Sequence, residues 1–307
     1  MRILTRLLSV AALVVVGWAC LMSWPAIVHG HPAYAVMLAL TLVVALLAGA
    51  LSFRAGEPRR GWRLALSVVA ALLAVVWLVA LWWLRPFAAV EPALSALEST
   101  STVVVTETAT AILMQPGLDP LDTGIVFQPG ARVDARAYAA VLRPLADAGY
   151  TVVVPKQPLG IAFLATNAFE GARDAHPEIA RWVVGGHSLG GTVASMDAAE
   201  HDGDGGAPVT GLMLYASYPA SDLSGLSSAV LSVSGTLDGL ATPADIEASR
   251  ADLPPGAEFA AIEGAVHSFF GDYGPQPGDG VPTITHDDAR SQIGQVSLEY
   301  LRSLESR

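Results

Sequence analysis

The sequence predicts an α/β domain, a mostly parallel sheet covered by helices on both faces, preceded by three membrane-spanning helices. Three observations predict it. Residues 7–53 form a run of 47 without Asp, Glu, Lys or Arg, and residues 64–84 a second uncharged run of 21. Beyond residue 102, short runs rich in Val, Ile and Leu alternate with helical patterns, as strands buried on both faces require. Charge is also segregated: residues 1–85 hold seven Arg and one acid, whereas residues 86–307 hold ten basic and 27 acidic groups.

A hydrocarbon core about 30 Å thick takes roughly 20 helical residues rising about 1.5 Å each. The first run is long enough for two spans, at 7–24 and 33–51, turning near Pro25 and Pro32; the second gives a span at 64–84. Trp77, Trp82 and Trp83 lie toward the end of the third, where amphipathic rings favour the interface. A cleaved signal peptide competes for the first run, but a second apolar span follows at once and no small-x-small site stands at 24–29. The lone cysteine, Cys20, excludes a disulfide framework and a cysteine zinc site, and is read as a packed thiol within the membrane. Arginines number two before the first span, none after it, four in the next loop (Arg54, Arg59, Arg60, Arg63) and one, Arg85, after the third. That bias puts the N-terminus inside and everything beyond residue 85 outside the cytoplasmic membrane.

Residues 86–101, an Ala-, Glu-, Pro- and Ser-rich stretch without periodicity, read as a linker, leaving 102–307 as the globular domain. A formal charge near −17 on 86–307 excludes a nucleic-acid partner, because phosphates would be repelled. Strands are expected at 103–106, 112–115, 124–128, 150–154, 181–185, 211–215, 230–234 and 258–262. One helix opens at an Asp134 N-cap, runs through Tyr138, Val141, Leu142 and Leu145, and stops at Gly149. Further helices are expected at 161–175, 189–201, 243–251 and 288–306.

The sharpest local signal is Gly186-His187-Ser188-Leu189-Gly190 between a strand and a helix. This is the pattern of a nucleophile elbow, in which small residues let a strained turn present its serine above the sheet edge. A serine hydroxyl needs a positioned base and an acid to orient that base. His267 follows the last strand, where the base belongs, while His286 reads as a helix-capping residue. Asp238, in the loop after 230–234, is the candidate acid, ahead of Asp245 and Asp272; an Asp-Gly turn is its plainer role. Oxyanion donors are expected from the backbone N–H of Leu189 and of Ala131, the latter in the loop Gln128-Pro129-Gly130-Ala131-Arg132. Lys156 is expected on a solvated loop or against an anionic substrate group, and Tyr273, Phe269 and Phe270 as pocket wall or as packing.

Residues 100–306 resemble the α/β-hydrolase fold, specifically the bacterial dienelactone-hydrolase-like group. The likeness rests on Phe127–Asp134, on Tyr138 with Ala148-Gly149-Tyr150, on Pro155–Leu159, on the elbow, and above all on Gly264–Gly274 followed by Pro275–Gly280. It implies Ser188, Asp238 and His267 as nucleophile, acid and base. Dienelactone hydrolases proper use cysteine, so their lactone substrate is not implied here, and no large lid insertion suggests an interfacially activated lipase. The expected activity is cleavage of a small-molecule carboxylic ester through an acyl-enzyme, without metal or organic cofactor. Acyl transfer on the same fold and a non-catalytic, membrane-anchored binding domain are the alternatives.

Overall fold

The computed structural model describes residues 2–54, 61–203 and 205–306, and separates into two compact units, Met1–Pro86 and Phe87–Arg307. Arg59 and Arg60, counted above for orientation, lie outside the described residues.

The first unit holds α1 (Arg2–His29), α2 (Pro32–Leu51) and α3 (Trp62–Trp83), each long and apolar enough to cross a membrane. The expected end of the first span near residue 24 is not a helix end. Pro25 lacks an N–H and crowds the preceding turn, so the helix bends at Ser23 (φ −139°, ψ 25°) and continues to His29. The freed Ser23 hydroxyl donates to the Pro86 carbonyl and accepts from Arg85, at 2.9 and 2.8 Å. Tyr34 on α2 reaches the Leu81 carbonyl on α3 at 2.8 Å.

The second unit is built on eight strands: β1 (Val103–Glu107), β2 (Ala111–Pro116), β3 (Thr123–Gln128), β4 (Thr151–Pro155), β5 (Arg181–His187), β6 (Val209–Tyr215), β7 (Ala229–Gly235) and β8 (Glu258–Ile262). Their spatial order is β1-β2-β4-β3-β5-β6-β7-β8, parallel from β4 onward, with β1 and β2 antiparallel at one edge. Every residue of β3 and β4 is buried, the two-faced burial that their unbroken apolar runs require. Alternation along the strands sorts side chains between two cores. Ile125 and Phe127 join Tyr138, Tyr215, Phe270 and Tyr300 on one face. Val126, Trp182 and Val184 join Phe169, Ala194 and Leu212 on the other. The helices are α4 (Ala139–Asp147), α5 (Ala168–Ala175), α6 (Leu189–Glu200), α7 (Pro243–Ala248) and α8 (His286–Glu305).

Three expectations change. Residues 87–101 are not a free linker. Phe87 pairs with Val133, Ala89 and Ala93 are buried in the core, and Arg143 holds the carbonyls of Ala96 and Glu98 at 2.6 Å. Phe87, Leu94, Ala96 and Leu97, spaced without a helical or strand period, pack partly buried against the same core. The helix expected at 161–175 shrinks to α5. Residues 162–164 make only a 3-10 turn, and Ala165 leaves helical backbone (φ −141°, ψ 41°), so α5 starts only at Ala168. The helix after Asp134 begins with a 3-10 turn, Ala135–Tyr138, and becomes α-helical only at Ala139. Asp134 caps that turn and also pairs with Arg136 at 2.6 Å. Gly149 ends it with φ 106°, as its position at C′ predicts.

Candidate active site

β5 runs directly into α6 through Ser188, whose backbone is held at φ 52°, ψ −125°. A non-glycine residue at positive φ is strained, and persists only where surroundings over-determine it. Here they do: Ser188 N–H donates to the Tyr215 carbonyl at 3.0 Å, and the Ser217 hydroxyl donates to the Ser188 carbonyl at 2.7 Å. A Cβ at Gly186 would strike the Gly190 backbone, and one at Gly190 the carbonyls of Gln128 and Pro129. The turn is therefore closed on itself and pressed against the loop after β3. The Ser188 side chain does not cap α6, and its hydroxyl takes no hydrogen-bond partner among the described residues.

The candidate acid and base come from neighbouring strand ends. β7 and β8 are paired up to Gly235 and Ile262, so the loops that leave them emerge side by side. They bring His267 Nδ1 to 2.8 Å from Asp238 Oδ2, with both residues almost fully buried. The other Asp238 oxygen accepts the N–H groups of Leu240 and Ala241 at 2.7 and 2.8 Å. The carboxylate that closes the Asp-Gly turn is thus the one that meets His267, and it is aimed by the turn it stabilises. With Asp238 ionised, Nδ1–H donates and Nε2 is left as the basic nitrogen.

Two residues that sequence reasoning gave no part in the chemistry complete the cluster. The His187 ring lies 4.5 Å from the His267 ring, centroid to centroid, and its Nδ1 is 2.9 Å from the Tyr138 hydroxyl. That hydroxyl accepts the Gly130 N–H at 2.8 Å. Burial, then the charge of His267, pushes the His187 pKa well down, while burial pushes that of Tyr138 up. His187 is consequently a neutral acceptor and Tyr138 a donor to it. Their only sequence signals were a histidine inside the elbow and an aromatic on a helical pattern.

In the loop after β3, the N–H groups of Gly130, Arg132 and Val133 are all engaged, by Tyr138, Gly160 and Gly130 respectively. The Ala131 N–H has no acceptor among the described residues, nor does that of Leu189 at the first turn of α6, where a helix leaves its donors free.

Other candidates find different roles. Lys156, expected at a solvated or substrate-facing loop, is buried and held by Glu107 at 2.8 Å and the Thr108 carbonyl at 2.6 Å, because β1 and β2 fold over it. His286 is the first residue of α8, capped by Thr285; its ring stacks on Phe269 and its Nε2 lies 3.4 Å from Asp272. Asp272 is buried and paired with Arg290 at 2.6 Å. Asp245 forms a capping box with Thr242. Phe270 and Tyr273 are core packing.

Among the described residues, one group could hold a metal ion: Glu170, Glu200 and His201, at the far end of α6, about 18 Å from Ser188 along a twelve-residue helix. Arg173 Nη1 already sits 3.3 Å from His201 Nδ1 and supplies positive charge there. Asp197, one turn earlier on α6, is buried with Oδ2 unpartnered among the described residues. Burial, then the nearby Glu170, pushes its pKa up to about 7.

Comparison with known proteins bears on the whole arrangement. Residues 124–291 match the model of the "Alpha/beta hydrolase family". No curated protein matches the sequence. Among solved structures, a CIB-like hydrolase from Thermoplasma acidophilum is 17% identical with a TM-score of 0.50, the match covering 66% of this chain and 99% of that one. An alpha/beta hydrolase from the sediment metagenome of the Mar Chica lagoon, Morocco, is 14% identical with the same TM-score and coverage. An esterase from Thermogutta terrifontis is 16% identical over 66% of this chain and 91% of that one, with a TM-score of 0.46. At these identities the first two speak for the fold.

Proposed function

This chain belongs to the alpha/beta hydrolase family, and we propose that within it the chain is a membrane-anchored serine hydrolase that cleaves a carboxylic ester through an acyl-enzyme. Ser188 is the nucleophile, His267 the base and Asp238 the orienting acid. The observation that carries the reading is the 2.8 Å contact between His267 and Asp238 at the sheet edge to which β5 also delivers the strained Ser188.

In this reading Ser188 Oγ attacks the ester carbonyl as His267 Nε2 takes its proton. Asp238 holds the imidazole tautomer and stabilises the imidazolium. The developing oxyanion is met by the free N–H groups of Leu189 and Ala131, the first at the positive end of α6. Collapse of the tetrahedral intermediate expels the alcohol, protonated by His267, and leaves acyl-Ser188. Water, activated by the same imidazole, attacks the acyl carbon and releases the acid. Because the hydroxyl and the imidazole are not yet bonded, their contact is expected to tighten when substrate is bound.

The arginine bias supports a domain held outside the cytoplasmic membrane, where the accessible esters are those of the envelope and surroundings. The test of the chemistry is labelling of the full-length protein with a fluorophosphonate, alongside turnover of p-nitrophenyl esters of graded acyl length. Labelling and turnover should both vanish in Ser188→Ala while the fold is kept. Undiminished hydrolysis in that variant would end the proposal.

A further inference from the structure

We propose that Asp279 is a positioning residue, whose carboxylate ties the loop bearing His267 to the loop bearing Asp238 and so sets the contact between base and acid. The proposal rests on the triad reading above. Asp279 lies in the Pro275–Gly280 stretch, which none of the chemistry so far uses.

Its two oxygens collect backbone donors from both loops. Oδ1 accepts the N–H of His267 at 3.0 Å, of Gly280 at 2.8 Å and, at the long end of the range, of Gly239 at 3.4 Å. Oδ2 accepts the N–H of Ser268 at 2.8 Å. His267 is the base itself, and Gly239 directly follows the acid. The turn that carries Asp279 is seated against the acid loop with no room between them: a Cβ on Gly280 would strike the Leu237 carbonyl. One carboxylate therefore sees four N–H groups from three segments, and it is the ionised form that suits them. Burial alone would push its pKa up, but the donors of Ser268, His267 and Gly280 outweigh that and hold Asp279 below the usual carboxylate range.

An ionised acceptor forms shorter, stronger bonds than a neutral one. An asparagine would occupy the same volume, yet its amino group would face a donor where an acceptor is needed. The base and its partner come from loops 29 residues apart in the chain, and their backbone register decides whether the imidazole meets both Asp238 and Ser188. Misplacement by about 1 Å in such a constellation can cost on the order of a hundredfold in rate.

The experiment uses the full-length protein in detergent with p-nitrophenyl butyrate. Asp279→Asn should lower kcat by about 10- to 100-fold while KM changes less than about twofold, because the loss falls on transition-state geometry rather than on binding. Asp245→Asn is the matched control: it disturbs a carboxylate that also accepts a backbone N–H, that of Thr242, together with the Thr242 hydroxyl, but at the cap of α7 and with no bond to the loop that bears His267, and should leave kcat unchanged. Thermal unfolding of each variant gives the folded fraction to which kcat is referred. Should Asp279→Asn fail to fold, Asp279→Ser keeps a smaller acceptor at the site and should lose kcat in the same direction. Wild-type kcat in either folded variant, or a loss no larger than the unfolded fraction, overturns the proposal. Turnover that survives Ser188→Ala would instead sink the triad reading, so the two failures are distinguishable.

Discussion

The Tyr138 hydroxyl lies 2.9 Å from His187 Nδ1, and this contact joins the turn after β3 to the residue that precedes Ser188. The same oxygen accepts the Gly130 N–H, so a single phenol spans the two backbone segments from which the oxyanion donors are proposed. Gly130 has to be glycine for this to fit, because a Cβ there would meet His187 Nδ1 at 2.6 Å.

Tyr138→Phe should therefore cost both stability and rate. It leaves the Gly130 N–H and His187 Nδ1 buried without partners, at about 1–3 kcal/mol for each unsatisfied group. It also frees the loop that carries Ala131, and loss of a well-aimed oxyanion donor costs on the order of 100-fold in kcat, so a loosened one should cost about tenfold. Thermal unfolding and ester kinetics read the two effects. A variant with wild-type melting temperature and kcat would show that the phenol bridges nothing of consequence.

His267→Ala should reduce turnover by several orders of magnitude, whereas His286→Ala should leave it near wild type. The contrast follows from their partners: His267 faces Asp238, while His286 stacks on Phe269 beside Asp272. Asp238→Asn should be about as severe as 10⁴-fold, since an amide favours the wrong imidazole tautomer. Steady-state kinetics of the three variants decide the matter, and a reversed order of the two histidines would reassign the base.

Asp197 makes stability depend on pH. Its folded pKa, raised to about 7 by burial and then by Glu170, stands above its unfolded value near 4. The folded state thus holds the proton more tightly, and that contribution is full below about pH 4 and is lost as pH rises through about 7. Asp197→Asn removes the titration. The variant should match wild type near pH 4, gain on it as pH rises toward 7, and exceed it at pH 8–9 by an amount on the order of a few kcal/mol. Melting curves across that range would refute the assignment if wild type and variant ran parallel.

The orientation of the membrane unit has its own measurement. With the N-terminus inside and three crossings, a C-terminal tag should be removed by protease from intact spheroplasts. A tag that is digested only after permeabilisation would place the domain in the cytoplasm.

Much of this was legible in the residues. The apolar runs placed all eight strands to within about two residues, most plainly β3 and β4, because strands buried on both faces cannot avoid Val, Ile and Leu. Gly186, Ser188 and Gly190 announced the elbow because a strained turn admits few residue types. The first half of the helix expected at 161–175 was not legible as a 3-10 turn, since its apolar spacing is helical and only the backbone at Ala165 (φ −141°, ψ 41°) parts that turn from α5. Residues 87–101 were not legible either: nothing local reveals that Phe87 has a partner at Val133.

Local pattern, set by side-chain shape and by the periods of helix and strand, was therefore determined by the sequence itself. Which distant residues meet was decided by the order of strands in the sheet. Placing β3 beside β5 sets the Gly130 loop against the elbow, and placing β7 beside β8 sets Asp238 against His267. Lys156 shows the same division. Its charge was plain in the sequence, but whether it met water, substrate or Glu107 depended on a strand 49 residues earlier folding across it. A buried charge must find a partner, and only the assembled tertiary structure offers one.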